Sequence, residues 1–370
     1  MRPLAALLAL SACTDGHTGM SSPRSKSPAD SGGPTTASDA ADTPPADAGG
    51  SSPTVGGARD AGHPAHPKPD RPTAPVALEL KNYMFVTSSL HAADFGGQSA
   101  ADAICNNSAR TASLAGTYVA WLSTAQTDAK SRIPAAVGGW VRPDERPFAV
   151  SRDALLAGQV LYPPRLDELG NDLARDHSAL ITATQPDGTY YGSGNYTDCE
   201  GWTSSDTTII YRTGSLSGGT YQWTAADGAT CTQLGRILCL GVDDAISVKI
   251  TPSLGRLAFL SRGTLVPGAG VSGADALCAR EARAAARSST FIALLASNGA
   301  SATSRLSAGE PWVRADGVAI VDQAADLLAG RTPLAPISLQ LDGEYRGTVG
   351  VWTGADAPDS VPTSASHCSD

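Results

Sequence analysis

The chain has 370 residues, 17% of them charged, with 27 basic against 36 acidic side chains and a formal net charge of -9. No Lys/Arg cluster or basic stripe lies in the part that reads as folded, which excludes nucleic-acid binding by phosphate neutralisation, because that mode needs concentrated positive charge. The mild acidic excess serves solubility and names no partner.

The N-terminus carries Arg2, an apolar run from Leu4 to Leu10, and small residues before Cys13. That run is far below the roughly 18 to 20 residues a spanning helix needs, so residues 1–12 read as an export signal. The end of the run, Leu10-Ser-Ala-Cys13, resembles the lipobox of bacterial lipoproteins. The resemblance implies cleavage before Cys13, transfer of diacylglycerol to its thiol, and acylation of the palmitate type. Several acyl chains hold a protein firmly at a membrane. The expected location is the bacterial cell envelope, at the outer membrane or the cell surface.

Residues 13–76 are dominated by Ser, Pro, Gly, Ala, Asp and Thr, with almost no large apolar side chains. Such a segment cannot bury enough apolar surface to offset chain entropy, and it reads as a disordered tether. His63 and His66 lie within it, and a solvated spacer is the expected role for both rather than metal binding.

From residue 77 onward the texture changes to interspersed Val, Leu and aromatics with frequent turn residues, the pattern of short strands. Comparing the chain with itself reveals an internal repeat, one copy in residues 77–242 and a second in 254–370, with residues 243–253 between them. Phe85-Val-Thr-Ser answers Phe259-Leu-Ser-Arg, and Ser99-Ala-Ala-Asp-Ala-Ile-Cys105 answers Ser272-Gly-Ala-Asp-Ala-Leu-Cys278. Ser131-Arg132 matches Ser304-Arg305, Trp140-Val-Arg142 matches Trp312-Val-Arg314, and a Leu-Leu-Ala-Gly ending at Gly158 recurs at Gly330. Each copy reads as strand, helix, strand and second helix. Ser99 and Ser272 are the expected helix N-caps, with Asp102 and Asp275 reaching back to the same turn. Gly158 and Gly330 are the expected stops of the second helices.

Besides Cys13, the first copy holds Cys105, Cys199, Cys231 and Cys239, and the second holds Cys278 and Cys368. Export makes disulfides the default, and four cysteines allow three connectivities between which spacing does not choose.

The succession Ala-Asp-x-x-Cys105, Ala109-Arg110, Gly116-Thr-x-x-Ala-x-Leu-Ser, then Tyr191-Gly-Ser, Cys199-Glu-Gly-Trp202 and Ile237-Leu-Cys239 resembles the endostatin domain over residues 83–240. That resemblance implies a compact C-type lectin-like fold of the α+β class, duplicated, with mostly antiparallel sheets, two helices per module and long irregular loops. It also implies nested disulfides, Cys105 with Cys239 and Cys199 with Cys231. Measured against it, the second module is expected to lack its C-terminal part. Cys278 and Cys368 correspond to Cys105 and Cys199, whose partners have no counterpart there, so both are expected to be orphans.

No catalytic constellation is legible. The six histidines do not cluster, and neither a Gly-x-Ser-x-Gly elbow nor a His-Glu-x-x-His helix occurs. Asp167-Glu168 and the acidic residues between Asp172 and Asp176 lack the spacing of a known calcium loop and read as solvated loop charges. The Glu-Pro-Asn and Trp-Asn-Asp motifs of calcium-dependent lectins are missing, and no metal or cofactor is expected. The best contact surface is the loop with Tyr190, Tyr191, Asn195 and Tyr196, since aromatic and amide groups suit sugars and protein surfaces. Trp202 is expected in the core. The function expected is that of a non-enzymatic binding or adhesion module for an extracellular glycan or protein. A structural envelope protein without a specific ligand is the alternative, and an enzyme of unknown class stands third.

Overall fold

In the computed structural model the described residues are 9–15, as backbone, and 81–363, apart from His177, Pro267, Asn298 and Thr348. The tether expected over 13–76 and the residues before Ala9 therefore fall almost wholly outside the described residues, as does Cys368. The chain is α+β.

The strands are β1 (Ala9–Asp15), β2 (Met84–Val86), β3 (Tyr118–Ala120), β4 (Trp140–Val141), β5 (Pro147–Ala149), β6 (Ala179–Ile181), β7 (Tyr196–Thr197), β8 (Ile210–Ser215), β9 (Asp227–Thr230) and β10 (Gly235–Gly241), followed by β11 (Arg256–Leu265), β12 (Phe291–Ala293), β13 (Trp312–Val313) and β14 (Gly350–Trp352). The helices are α1 (Gln98–Thr111), α2 (Ala129–Arg132), α3 (Arg152–Leu156), α4 (Cys199–Trp202), α5 (Gly270–Ala284) and α6 (Ala324–Leu328). Each copy thus has the two helices expected, a long one, α1 or α5, and a short second one, α3 or α6. The remaining helices are single turns.

The first copy is organised around β10, every residue of which is buried. It runs antiparallel to β2 and β3 and parallel to β6. Successive strand residues face opposite sides, so Phe85, Ile237 and Cys239 meet α1 in one core layer. Met84, Val86, Leu238 and Leu240 enter a second layer with Trp121, Trp140, Phe148 and Trp223. The strand is apolar at both phases because both of its faces are covered. The indole nitrogens of Trp121 and Trp140 donate to Thr224 Oγ1 and to the Gly241 carbonyl, both at 2.8 Å. Two disulfides lock the module in the nested pairs that the resemblance implies, Cys105 to Cys239 and Cys199 to Cys231.

The repeat extends to individual hydrogen bonds. The Asp102 carboxylate accepts the Ala120 N–H and pairs with Arg132. The Asp275 carboxylate does the same with the Ala293 N–H and Arg305. Arg142 and Arg314 are both buried and both clasp the aspartate two residues on, Asp144 and Asp316, at 2.5 Å. At the ends of α3 and α6, Gly158 and Gly330 take the left-handed conformation at φ 72° and 65°. Their N–H groups return to Leu155 and Leu327, while those of Gln159 and Arg331 return to Ala154 and Asp326, the double closure of a Schellman motif.

The expected serine caps are not formed. The cap positions of α1 and α5 are Gly97 and Ala269, with no side-chain cap bond at either, and Ser99 and Ser272 lie inside the helices. The aspartates that were to complete those caps instead reach across to the next strand and an arginine, a charge-assisted contact stronger than a capping bond.

Residues 243–253 run along the first module. Gly138 and Gly139 donate to the Asp244 and Ile246 carbonyls, and Val248 donates to Val150. Beyond them, Leu161 and Tyr162 pack with Val318 and Ala335. The Tyr162 hydroxyl accepts from the Ala319 N–H at 3.0 Å, and Arg314 reaches the Leu161 carbonyl. In the second module β11 lies beside β13, in parallel, and beside β1, antiparallel. Strand β1 also pairs with β12 and β14. Ala9 to Ala12, expected to end the export signal, and Cys13 to Asp15, expected as the lipid-attachment site and the start of a disordered tether, thus form a strand of this sheet.

Candidate functional site

The four residues of the expected contact surface separate into three environments. Tyr190 is half-buried against the core layer beneath α1. Its N–H donates to Asp128 Oδ1 at 2.8 Å, and its carbonyl accepts from Gln185. Burial pushes its phenol up, with the nearby Asp198 charge adding to the effect. This side chain supports the loop from within. Asn195 is exposed on the turn that the Tyr196 N–H closes onto the Ser193 carbonyl.

Tyr191 and Tyr196 form a pair, their rings 5.5 Å apart and perpendicular. Beside the pair, against both rings, stands a residue that no sequence pattern singled out, Arg212. The Arg212 guanidinium stands 5.0 Å from the Tyr191 ring centre and 5.4 Å from that of Tyr196. Strand β8 delivers it, because Tyr211 and Thr213 turn inward and Arg212 must face the other way. That alternation was the available signal. The guanidinium donates to the Ala225 and Ala226 carbonyls at 3.3 and 3.0 Å, and more weakly to the Tyr196 hydroxyl at 3.4 Å. Its Nε is buried and has no hydrogen-bond partner.

The floor is β9. Gly228 lies opposite Arg212 in the antiparallel β8–β9 pair, and a Cβ there would come within 2.7 Å of the Tyr196 ring. Only glycine allows that ring to lie against the strand. Tyr196 itself is held by β7, which pairs in parallel with the start of β8.

Next to the pair, α4 is a left-handed turn, with φ of 52°, 55°, 70° and 68° from Cys199 to Trp202. Three of the four are not glycine, and each such residue costs about 1 to 2 kcal/mol. The Cys199–Cys231 bond holds one end of the turn. The other end is the fully buried Trp202, as expected a core residue, which stacks on Phe95 and donates through its indole to the Ser123 carbonyl. The Trp202 carbonyl accepts from both Gly96 and Gly97 at the entry to α1. The turn thus ties the Cys199–Cys231 disulfide to the entry of α1.

The acidic residues expected to be solvated are bound into the structure. Asp167 and Glu168 are buried. Asp167 accepts from the Leu169 and Asn171 N–H groups, and Glu168 from the N–H and hydroxyl of Ser88. Asp172 pairs with Arg165, and Asp176 with Arg236. Among the described residues no group of three His, Cys, Asp or Glu side chains is arranged to hold a metal. His91 lies beside Ser89 at 2.8 Å, and burial lowers its pKa.

A cleft of about 590 Å³ lies between Arg165, Asp172 and Arg175 on one side and Asp322, Asp326 and Arg331 on the other. Its charges are largely paired, Arg165 with Asp172, Arg331 with Asp326, and Asp322 with Arg146. The tyrosine pair with its arginine is the stronger candidate, because ring faces and phenol groups there combine with a cation. No helix among the described residues is long and apolar enough to cross a membrane. No protein-family model matches the chain, and no curated protein matches it either.

Proposed function

We propose that the protein is an exported binding module that recognises an extracellular glycan or protein through the face formed by Tyr191, Tyr196 and Arg212. The observation that carries this reading is the guanidinium packed beside both tyrosine rings, the three groups forming a near-equilateral cluster over a glycine floor. Such a face offers stacking for a sugar ring or an aromatic side chain, two phenol hydroxyls, and a positive charge for a carboxylate or hydroxyl group. A C-type lectin-like, endostatin-like fold is part of the same proposal, supported by the nested disulfides and the duplicated α+β arrangement. So is location in the bacterial envelope with Cys13 as lipid acceptor. The disulfides support the export half of that statement, because such bonds persist in oxidising compartments.

The test is binding of the purified, oxidised full chain to arrays of polysaccharides and matrix proteins. Tyr196→Ala should weaken saturable binding on the order of tenfold, the loss of one aromatic contact. Tyr190→Phe should leave it unchanged. Absence of saturable binding to any array member would shift the reading to a structural envelope protein.

A further inference from the structure

The second module contains a strand position with the same surroundings as that of β10, and β1 fills it. In the first module Cys239 of β10 lies opposite Phe85 of β2 and Ala120 of β3, both antiparallel. In the second module Cys13 of β1 lies opposite Phe259 of β11 and Ala293 of β12, again antiparallel. Phe85 and Phe259 match in the repeat, and so do Ala120 and Ala293. The third neighbour agrees as well. Gly235 to Ile237 pair in parallel with β6, and Ala9 to Ser11, the same three positions counted from the cysteine, pair in parallel with β14.

In the first module the cysteine at this position is bonded to Cys105 of α1. The residue of α5 that matches Cys105 is Cys278, which is buried and disulfide-bonded, contrary to the expectation that it is an orphan. The chain has seven cysteines. Four are occupied by the two bonds of the first module, so the partner of Cys278 within the chain is Cys13 or Cys368.

We propose that residues 9–15 are the closing strand of the second module in the unprocessed chain, and that Cys13 is the residue bonded to Cys278. Formation of that bond removes two protons and two electrons from the two thiols. A disulfide-bearing oxidant accepts them and leaves as a dithiol. This goes beyond the binding reading and concerns a different part of the molecule. It also gives Cys13 two mutually exclusive fates, since a thiol that carries a lipid cannot join a disulfide. Cleavage before Cys13 would further remove Ala9 to Ala12, and with them the whole contact to β14. Lipid attachment and closure of the second module are therefore alternatives, and processing opens the strand position.

The full chain, made by cell-free translation in oxidised glutathione where no lipid-transferring or signal-cleaving enzyme acts, should be alkylated, digested with trypsin without reduction, and analysed by mass spectrometry. The expected product joins peptide 1–24 to peptide 263–280. A link between 263–280 and 347–370 overturns the proposal, as does recovery of 263–280 alkylated at Cys278. In parallel, Cys13→Ser should leave Cys278 open to alkylation, whereas Cys368→Ser should leave the 1–24 to 263–280 link intact. Because the wild-type map is decisive, misfolding of a variant does not obscure the result. Failure of this test leaves the tyrosine-face reading untouched, and failure of array binding leaves the strand assignment untouched.

Discussion

The two disulfides of the first module should contribute unequally to stability, and the inequality tests how the strained turn is held. Cys105 and Cys239 are 134 residues apart, for which the loop-entropy relation gives about 5 kcal/mol. Cys199 and Cys231 are 32 apart, for which it gives about 3.7 kcal/mol. The second figure is opposed by release of strain. Cys199, Glu200 and Trp202 are non-glycine residues in the left-handed region, at about 1 to 2 kcal/mol each, and part of that is recovered once the tether is cut. Cys199→Ala with Cys231→Ala should therefore cost less than half of what Cys105→Ala with Cys239→Ala costs. Guanidinium unfolding of the full chain followed by tryptophan fluorescence measures both, since Trp121, Trp140, Trp202 and Trp223 are all buried in this module. Equal losses from the two pairs would refute the argument that the turn stores strain.

Two further outcomes follow from the same contacts. Gly228→Ala places a methyl group within 2.7 Å of the Tyr196 ring, so the ring must leave Arg212; near-ultraviolet circular dichroism should change and array binding should fall by an amount similar to Tyr196→Ala, while an unchanged spectrum would contradict the packing. The Tyr345 phenol is pushed up to about 12, chiefly by burial. Its folded pKa thus lies above the ordinary value near 10, so its contribution to stability is complete below about pH 10 and is lost as pH rises toward 12. Tyr345→Phe should flatten the alkaline limb of a stability profile between those values, and a limb identical to wild type would show that another group sets it.

Much of the architecture was legible because duplication preserves side chains that fix backbone geometry. Asp102 with Arg132 and Asp275 with Arg305 stand at matching places in the sequence and make matching bonds. The glycines that stop α3 and α6 were readable from the need for positive φ alone. Ser99 and Ser272 misled because local spacing suggests a cap whenever a serine precedes an aspartate by three, and only tertiary structure shows that a strand and an arginine claim the aspartate. Asp167 and Glu168 read as loop charges because their partners, Asn171 and Ser88, are neutral and carry no charge-pattern signal.

The site was legible in part. Aromatic clustering located Tyr191 and Tyr196, but Arg212 is recruited through β8 from 16 residues beyond Tyr196, and no local pattern announces a contact across strands. Tyr190 and Tyr191 are adjacent in sequence yet face opposite environments, one toward the core and one toward Arg212. Cys278 was misread for a related reason, since the strand beside it comes from the opposite end of the chain.

That strand makes synthesis order consequential. Residues 9–15 leave the ribosome first, but the β11 residues they pair with follow roughly 250 residues later, an interval of roughly 12 to 50 s at common elongation rates. Throughout it the cysteine-bearing β1 segment lacks its β11, β12 and β14 partners, while the first module's own slot, of the same register, stays open until β10 emerges. A holdase that binds the early segment, or prompt capture by the export machinery, would keep it from the first module's slot during that interval.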